Sequence, residues 1–299
     1  MKRQITGARL LATVAVALCF IVSAEAQRGG FGGAAGGPDP TTAPTPRLAN
    51  GKPDLTGSWG GAQSLTGAGA PGVTVGDMFR RCTPFQSKNC MEWTNQSEDW
   101  VFMSGMRLDM RQPLYKPEHW DKIIELDQWT NREDPVMTCL PLGVPRQGPP
   151  ARIFATDTDI TFIYRGGADG AGGYAEHRMI PIDGKPHDPR RANNYTYFGY
   201  TVGKWEGDTL VLDSIGFSDE TWLGRGGFFH SDKMRAIEKF TRVGNQMTYD
   251  VTIEDPEVLL EPWVMPTRIL RLSPTNTIIG ERGNCTESEH KEVSSQYRH

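Results

Sequence analysis

Residues 233–254 read KMRAIEKFTRVGNQMTYDVTIE. Two strand-forming runs flank Gly244-Asn245, a two-residue turn suited to type I′ or II′ geometry. The turn sets a register. Met234–Asp255, Ala236–Ile253, Glu238–Val251 and Phe240–Tyr249 fall on one face. Arg235–Glu254, Ile237–Thr252, Lys239–Asp250 and Thr241–Thr248 fall on the other. The second face carries two opposite-charge pairs and a threonine pair, partners that stabilise a wet surface. The first face is mainly apolar, and a slip of one residue would destroy both patterns. The stretch is an antiparallel hairpin with one buried face, and that face carries a carboxylate.

The same alphabet extends outward. From Pro150 onward, short runs rich in Ile, Val, Thr, Tyr and Phe alternate with Gly, Asn and Asp turns. Strands are expected at Arg152–Ala155, Asp159–Tyr164, Glu176–Ile182, Tyr195–Trp205, Thr209–Ile215, Arg268–Leu272 and Thr277–Arg282, with Trp59 on another. A second hairpin surrounds Glu206-Gly207-Asp208, whose residues suit a turn better than an acidic metal loop. GGADGAGG (166–173) opens no helix and is expected as a hairpin tip. Helix is confined to Pro117–Trp129, where Pro117 suits the first position and Glu118 and Asp121 the first turn. Trp120, Ile123 and Ile124 share one face of it. Many short strands without alternating helices predict an all-β fold: an antiparallel lipocalin-like barrel or a sandwich, with one short helix.

Before this domain the chain has a different character. Lys2, Arg3 and Arg9 precede a 13-residue apolar run, Leu10–Val22, and Ala24-Glu25-Ala26 fits a small-x-small cleavage site. Residues 1–26 read as a secretory signal peptide, so an exported chain, periplasmic or secreted, without a transmembrane domain after processing, is expected. Residues 27–53 contain 12 Gly or Pro, a composition expected to form a disordered linker. A single domain, 54–299, follows, with 60–112 readable as an insertion. Losing Lys2, Arg3, Arg9 and Glu25 takes the formal charge from -4 to about -6. An acidic balance argues against a dedicated nucleic-acid binder, which carries a basic patch.

Four cysteines remain after the signal: Cys82, Cys90, Cys139 and Cys285. An even number in an exported chain points to disulfides. Three pairings are open, of which Cys82–Cys90 with Cys139–Cys285 is preferred; a zinc site is the competing reading, disfavoured because no Cys-x-x-Cys and no nearby His at ligand spacing occur. No metal and no cofactor are expected. The sequence has no His-x-His, His-Glu-x-x-His, phosphate loop or Gly-x-Ser-x-Gly.

Several stretches together resemble a large family of exported bacterial proteins: PDLTGSW (53–59), CLPLGVPR (139–146), DGKPH (183–187), VGKWEGDTLVLD (202–213), HSDKMRAIEKFTR (230–242), VTIEDP (251–256) and PW (262–263). Gly57-Ser58-Trp59 also resembles the Gly-x-Trp of lipocalins. The resemblance implies export and a lipocalin-like barrel. It assigns no catalytic residue, and 60–112 departs from the pattern.

The candidate chemistry centres on Glu238. A carboxylate on an apolar face is costly unless paired or protonated. It is either an acid, base or ligand anchor in a cavity, or half of a buried ion pair with Arg146, Arg178 or Arg268. Asp255 and His230 are the companion catalytic candidates, with Asp255 also readable as a turn cap before Pro256. On a straight strand His230 would stand roughly 26 Å from Glu238, too far for direct cooperation. Tyr249, Phe240, Trp222, Arg146 and His187 are the ligand-binding candidates, His187 lying between Asp183 and Asp188 in PIDGKPHDP. The expected function is binding of a small, largely apolar molecule inside the barrel. Cofactor-free hydrolysis, elimination or isomerisation there is the catalytic extension, and a structural or interaction module of the cell envelope is the alternative. Oligomeric state is left open.

Overall fold

A computed structural model describes residues 39–60, 113–165, 176–224, 227–265, 267–274 and 279 of the 299-residue chain. The signal segment, residues 61–112 and the Thr277–Arg282 strand, Ile279 excepted, lie outside them, as do Cys82, Cys90, Cys285 and the glycine tip 166–173.

The strands are β1 (Gly57–Gly60), β2 (Arg152–Ala155), β3 (Asp159–Ile163), β4 (His177–Pro181), β5 (Tyr200–Glu206), β6 (Thr209–Ile215), β7 (Trp222–Gly224), β8 (Phe228–Phe229), β9 (Arg235–Val243), β10 (Gln246–Glu254), β11 (Trp263–Val264) and β12 (Arg268–Leu272). Ten of them form one antiparallel sheet in the order β4-β3-β2-β1-β12-β10-β9-β6-β5, with β11 on β10, and β7 and β8 pair apart from it as a two-stranded hairpin. The sheet curls into a nearly closed barrel, so the fold is all-β with little helix. The expected sandwich alternative is not formed.

The β9–β10 hairpin has the register read from the sequence, from Gln246↔Val243 to Glu254↔Arg235. Ala236, Glu238, Phe240, Tyr249, Val251 and Ile253 all point inward and are buried. Gly244 has φ +60° and Asn245 lacks a positive φ, which selects the type II′ turn. The β5–β6 hairpin turns the same way through Gly207, at φ +62°. Phe240 is the centre of the aromatic core, 4.8 Å from Tyr249 and 5.1 Å from Phe162 by ring centroids.

Strand ends otherwise shift by one or two residues, and three larger differences from expectation stand out. The run expected from Tyr195 becomes strand only at Tyr200, because Gly199 takes φ +70° against the Phe217 ring and turns the chain. The helical segment divides into a 3-10 turn, Pro117–His119, an α-helix, Trp120–Gln128, and a further turn of helix, Thr130–Glu133. The third difference concerns the expected linker. Residues 39–53 pack against the barrel as a strap across three strand turns, and the folded unit begins at Asp39. Asn245 N–H donates to Pro40 O and Gly244 N–H to Thr45 Oγ1, both at 2.8 Å. Arg47 forks onto Asp208 at 2.7 and 3.0 Å, and Asn50 N–H donates to Asp157 at 3.3 Å. Glycine and proline there make turns whose polar groups are satisfied by the barrel's own unpaired turn groups.

Candidate functional site

The first and last strands of the sheet, β4 and β5, meet along a seam. At one end they are tight: Gly184 N–H donates to Gly203 O at 3.0 Å. A Cβ on Gly203 would lie 2.8 Å from Ile182 Cγ2 and 2.9 Å from Leu212 Cδ2, so only glycine allows this approach. Beside this contact, β4 and the start of β5 line an open cleft of about 410 Å³. Its walls are β4, the start of β5 and the loop 191–199. Arg178, Arg191 and His177 line it without a carboxylate, beside Phe198, Tyr200 and Thr201.

Arg178 bridges the seam from within. Its Nη1 donates to Glu238 Oε2 at 2.7 Å and to the Tyr164 hydroxyl at 3.0 Å. Its Nη2 donates to Thr201 Oγ1 at 2.8 Å and Ser214 Oγ at 3.2 Å. Glu238 Oε1 accepts from the Tyr249 hydroxyl at 2.9 Å. The guanidinium of β4 therefore joins β5, β6 and β9 where backbone pairing is missing. Burial alone would lower the basicity of Arg178, but the Glu238 carboxylate outweighs it and the net direction is up. Burial, reinforced by Glu238, pushes the Tyr249 hydroxyl well above its usual range. The network holds a stable carboxylate–guanidinium pair with protonated phenols around it.

Glu238 is thus the ion-paired carboxylate of the two readings, and Arg178 is one of the three partners named. Both its oxygens are engaged, and the residue is wholly buried. His230 is buried, its Nε2 2.8 Å from Thr221 Oγ1 and its Nδ1 2.8 Å from Ser231 O. Burial holds its imidazole below the usual histidine pKa. Asp255 accepts from Ser231 N–H at 2.7 Å, Ser231 Oγ at 2.8 Å and the N–H groups of Glu257 and Val258. It caps the turn before Pro256 and pins the entry to β9. The three catalytic candidates do not converge: Ser231 links His230 to Asp255, while Glu238 lies in its own network.

The ligand-binding candidates divide similarly. Tyr249 and Phe240 are core and network. Trp222 is buried on β7, in the small β7–β8 hairpin that Tyr115 stacks against. Arg146 forks onto Asp134 at 2.7 and 2.8 Å, and Asp134 accepts from Val136 N–H. That buried pair anchors the loop of the CLPLGVPR stretch. His187 lines a separate surface hollow of about 290 Å³ with Lys185, Lys204 and Asp213. Its Nε2 lies 3.0 Å from Asp213 O, whereas Asp183 and Asp188 engage Lys185 and Arg190. Asp208 of the Glu-Gly-Asp turn holds Arg47 and Glu206 holds Lys204, so the turn is structural.

The seam residues were not singled out from the sequence as a site. The signal lay in the β5–β6 register. The two-residue loop Gly207-Asp208 places Thr201 opposite Ser214, two small polar residues on an inward face. Among the described residues, no group of three or more His, Cys, Asp or Glu is placed to hold a metal ion. No described helix is long and apolar enough to cross a membrane. Comparison with family models, curated proteins and solved structures finds no match to this chain.

Proposed function

We propose that this chain is an exported barrel that binds a small molecule in the lateral cleft between β4 and β5. The observation that carries the reading is the cleft itself: about 410 Å³, within the roughly 300–1,000 Å³ of small-molecule sites. Its lining is more polar than apolar, with Arg178, Arg191, Asn194 and Thr201 beside Phe198 and Tyr200. The ligand class that fits has an apolar body and an anionic or strongly hydrogen-bond-accepting head. Arg191 stands at the lip with its guanidinium 4.5 Å from the Tyr200 ring centroid, presenting charge on a flat apolar platform.

Binding rather than turnover is the reading the geometry supports best. Glu238, His230 and Asp255 are each committed to hydrogen bonds of the fold and none lines the cleft. The engagement of both Glu238 oxygens within the fold favours a non-catalytic role in the envelope as the second reading. Export rests on the signal-like residues 1–26 and on the even number of cysteines that follow them, as suits an oxidising compartment. Membership of the exported family rests on the motif stretches quoted above.

The test is titration with 8-anilinonaphthalene-1-sulfonate, an apolar fluorophore with one anionic group. A saturable, single-site fluorescence rise that Asn194→Trp abolishes without lowering the melting temperature supports the reading. An absent or unsaturable response, or one unchanged by Asn194→Trp, overturns it.

A further inference from the structure

The edges of β4 and β5 that face the seam are open. Tyr164 N–H donates to Glu176 O at 2.8 Å and Ile182 N–H to Thr158 O at 2.9 Å. In the β3–β4 register, Arg178 and Ile180 therefore bond through their backbone to β3. His177 and Met179 turn their N–H and C=O groups the other way, and Pro181 its C=O. On β5, the two-residue loop Gly207-Asp208 makes Glu206 and Thr209 a hydrogen-bonded pair. Tyr200, Val202 and Lys204 then bond to β6, and Thr201 and Gly203 face the seam. Gly203 O uses that direction, accepting from Gly184 N–H at 3.0 Å. No strand among the described residues pairs with either edge.

The strand order favours an inserted strand over direct pairing. Nine strands lie on the path from β4 to β5, each antiparallel to the next. An odd number leaves β4 and β5 running the same way. Pairing them directly would put a parallel ladder into an antiparallel barrel, whereas one strand between them would be antiparallel to both. The cleft presents the edge of β4 rather than one face. All five of its residues line the cleft, although their side chains alternate between exposed and buried.

The flanking side chains favour an occupant with an apolar and acidic outer row. Met179 is 73% exposed and stands in line with Thr161 and Phe154 on the outer face. Arg178 is held by Glu238, which leaves Arg191 facing a cleft that no carboxylate lines.

We propose that the cleft takes a short, extended, acidic peptide as an added strand between β4 and β5; this rests on the reading of the cleft as the ligand site and names its ligand. The backbone groups of His177, Met179 and Thr201 supply the ladder. Met179 meets an apolar side chain of the added strand, and Arg191 its carboxylate.

The probe is acetyl-Val-Ala-Glu-Ala-Val-amide, whose Val, Glu and Val share one face of a strand. Its binding to the full chain is measured by titration calorimetry and by displacement of 8-anilinonaphthalene-1-sulfonate. One saturable site, competitive with the fluorophore and lost in Asn194→Trp, is expected. N-methylation of both alanines removes ladder donors and leaves every side chain in place, so it should weaken binding at least tenfold. Lysine in place of the glutamate should weaken it at least threefold. Equal affinity of either altered peptide, or binding that Asn194→Trp leaves unchanged, would overturn the added strand. Fluorophore binding at the cleft without peptide binding would overturn the added strand alone and leave the seam as a ligand site. Binding of neither would overturn both.

Discussion

Arg178 of β4 donates to Glu238 of β9 at 2.7 Å, with both side chains almost wholly buried. This contact ties an end strand of the open sheet to its interior. Glu238→Leu leaves Arg178 buried and unpaired, and is expected to cost about 3–5 kcal/mol. The double variant Arg178→Met/Glu238→Leu should recover most of that loss, because replacing a whole buried pair by apolar groups is often close to neutral. Urea unfolding of the four members of the cycle measures it. Additive losses would mean that the pair is not the interaction that matters.

His230 predicts a pH dependence. Its native pKa lies below the ordinary value because burial disfavours the imidazolium. Above about pH 6.5 the imidazole is neutral in both states. Below that, the unfolded chain binds a proton that the native chain does not. Stability therefore falls as pH falls, by up to about 1.4 kcal/mol per pH unit, until the lowered native pKa is reached. His230→Gln should remove this component, giving a flatter profile between pH 7.5 and 5 than the wild type. Superimposable profile shapes would remove the histidine from the account.

Gly203 tests the closure of the seam. A side chain there meets Ile182, Leu212 and the Pro181 carbonyl at 2.8–3.1 Å. Gly203→Val should cost about 1–3 kcal/mol by overpacking and should weaken fluorophore binding by prising β5 from the end of β4. Unchanged binding together with unchanged stability would show that the two strands are not held together at this point.

The strap makes a separate prediction. A Cβ on Gly244 would approach the carbonyl oxygens of Pro40 and Ala43 at 2.6 and 2.7 Å, at a φ that side chains avoid. Gly244→Ala should displace residues 39–46 while leaving the barrel folded. Limited proteolysis would reveal it as faster cleavage before Arg47 than in the wild type. Equal cleavage rates would contradict the packing of the strap.

Much of the barrel was legible because its information is local. Alternating polarity and a two-residue turn specify the β9–β10 hairpin down to each pair, and the inward position of Glu238 followed. What was not legible is non-local. Whether Glu238 met a cavity or a cation depended on β4, some 60 residues earlier, and no periodicity reports which strands become sheet neighbours across a barrel. The strap was misread because Gly and Pro mark both disorder and ordered turns; the decision lay in the donors of Gly244 and Asn245. The short β7–β8 and β11 strands carry too few residues for alternation to register. The cleft escaped because it lies between β4 and β5, the two ends of the sheet order, and because Gly199 turns the chain inside the run expected to be extended from Tyr195.

Backbone hydrogen exchange with and without saturating 8-anilinonaphthalene-1-sulfonate addresses the seam most directly. If the cleft between β4 and β5 is the ligand site, added protection will concentrate in His177–Pro181 and in residues 191–201, with β9 and β10 unchanged. Protection confined to β9, β10 and the β7–β8 hairpin, or none anywhere at saturation, would contradict the assignment of the seam.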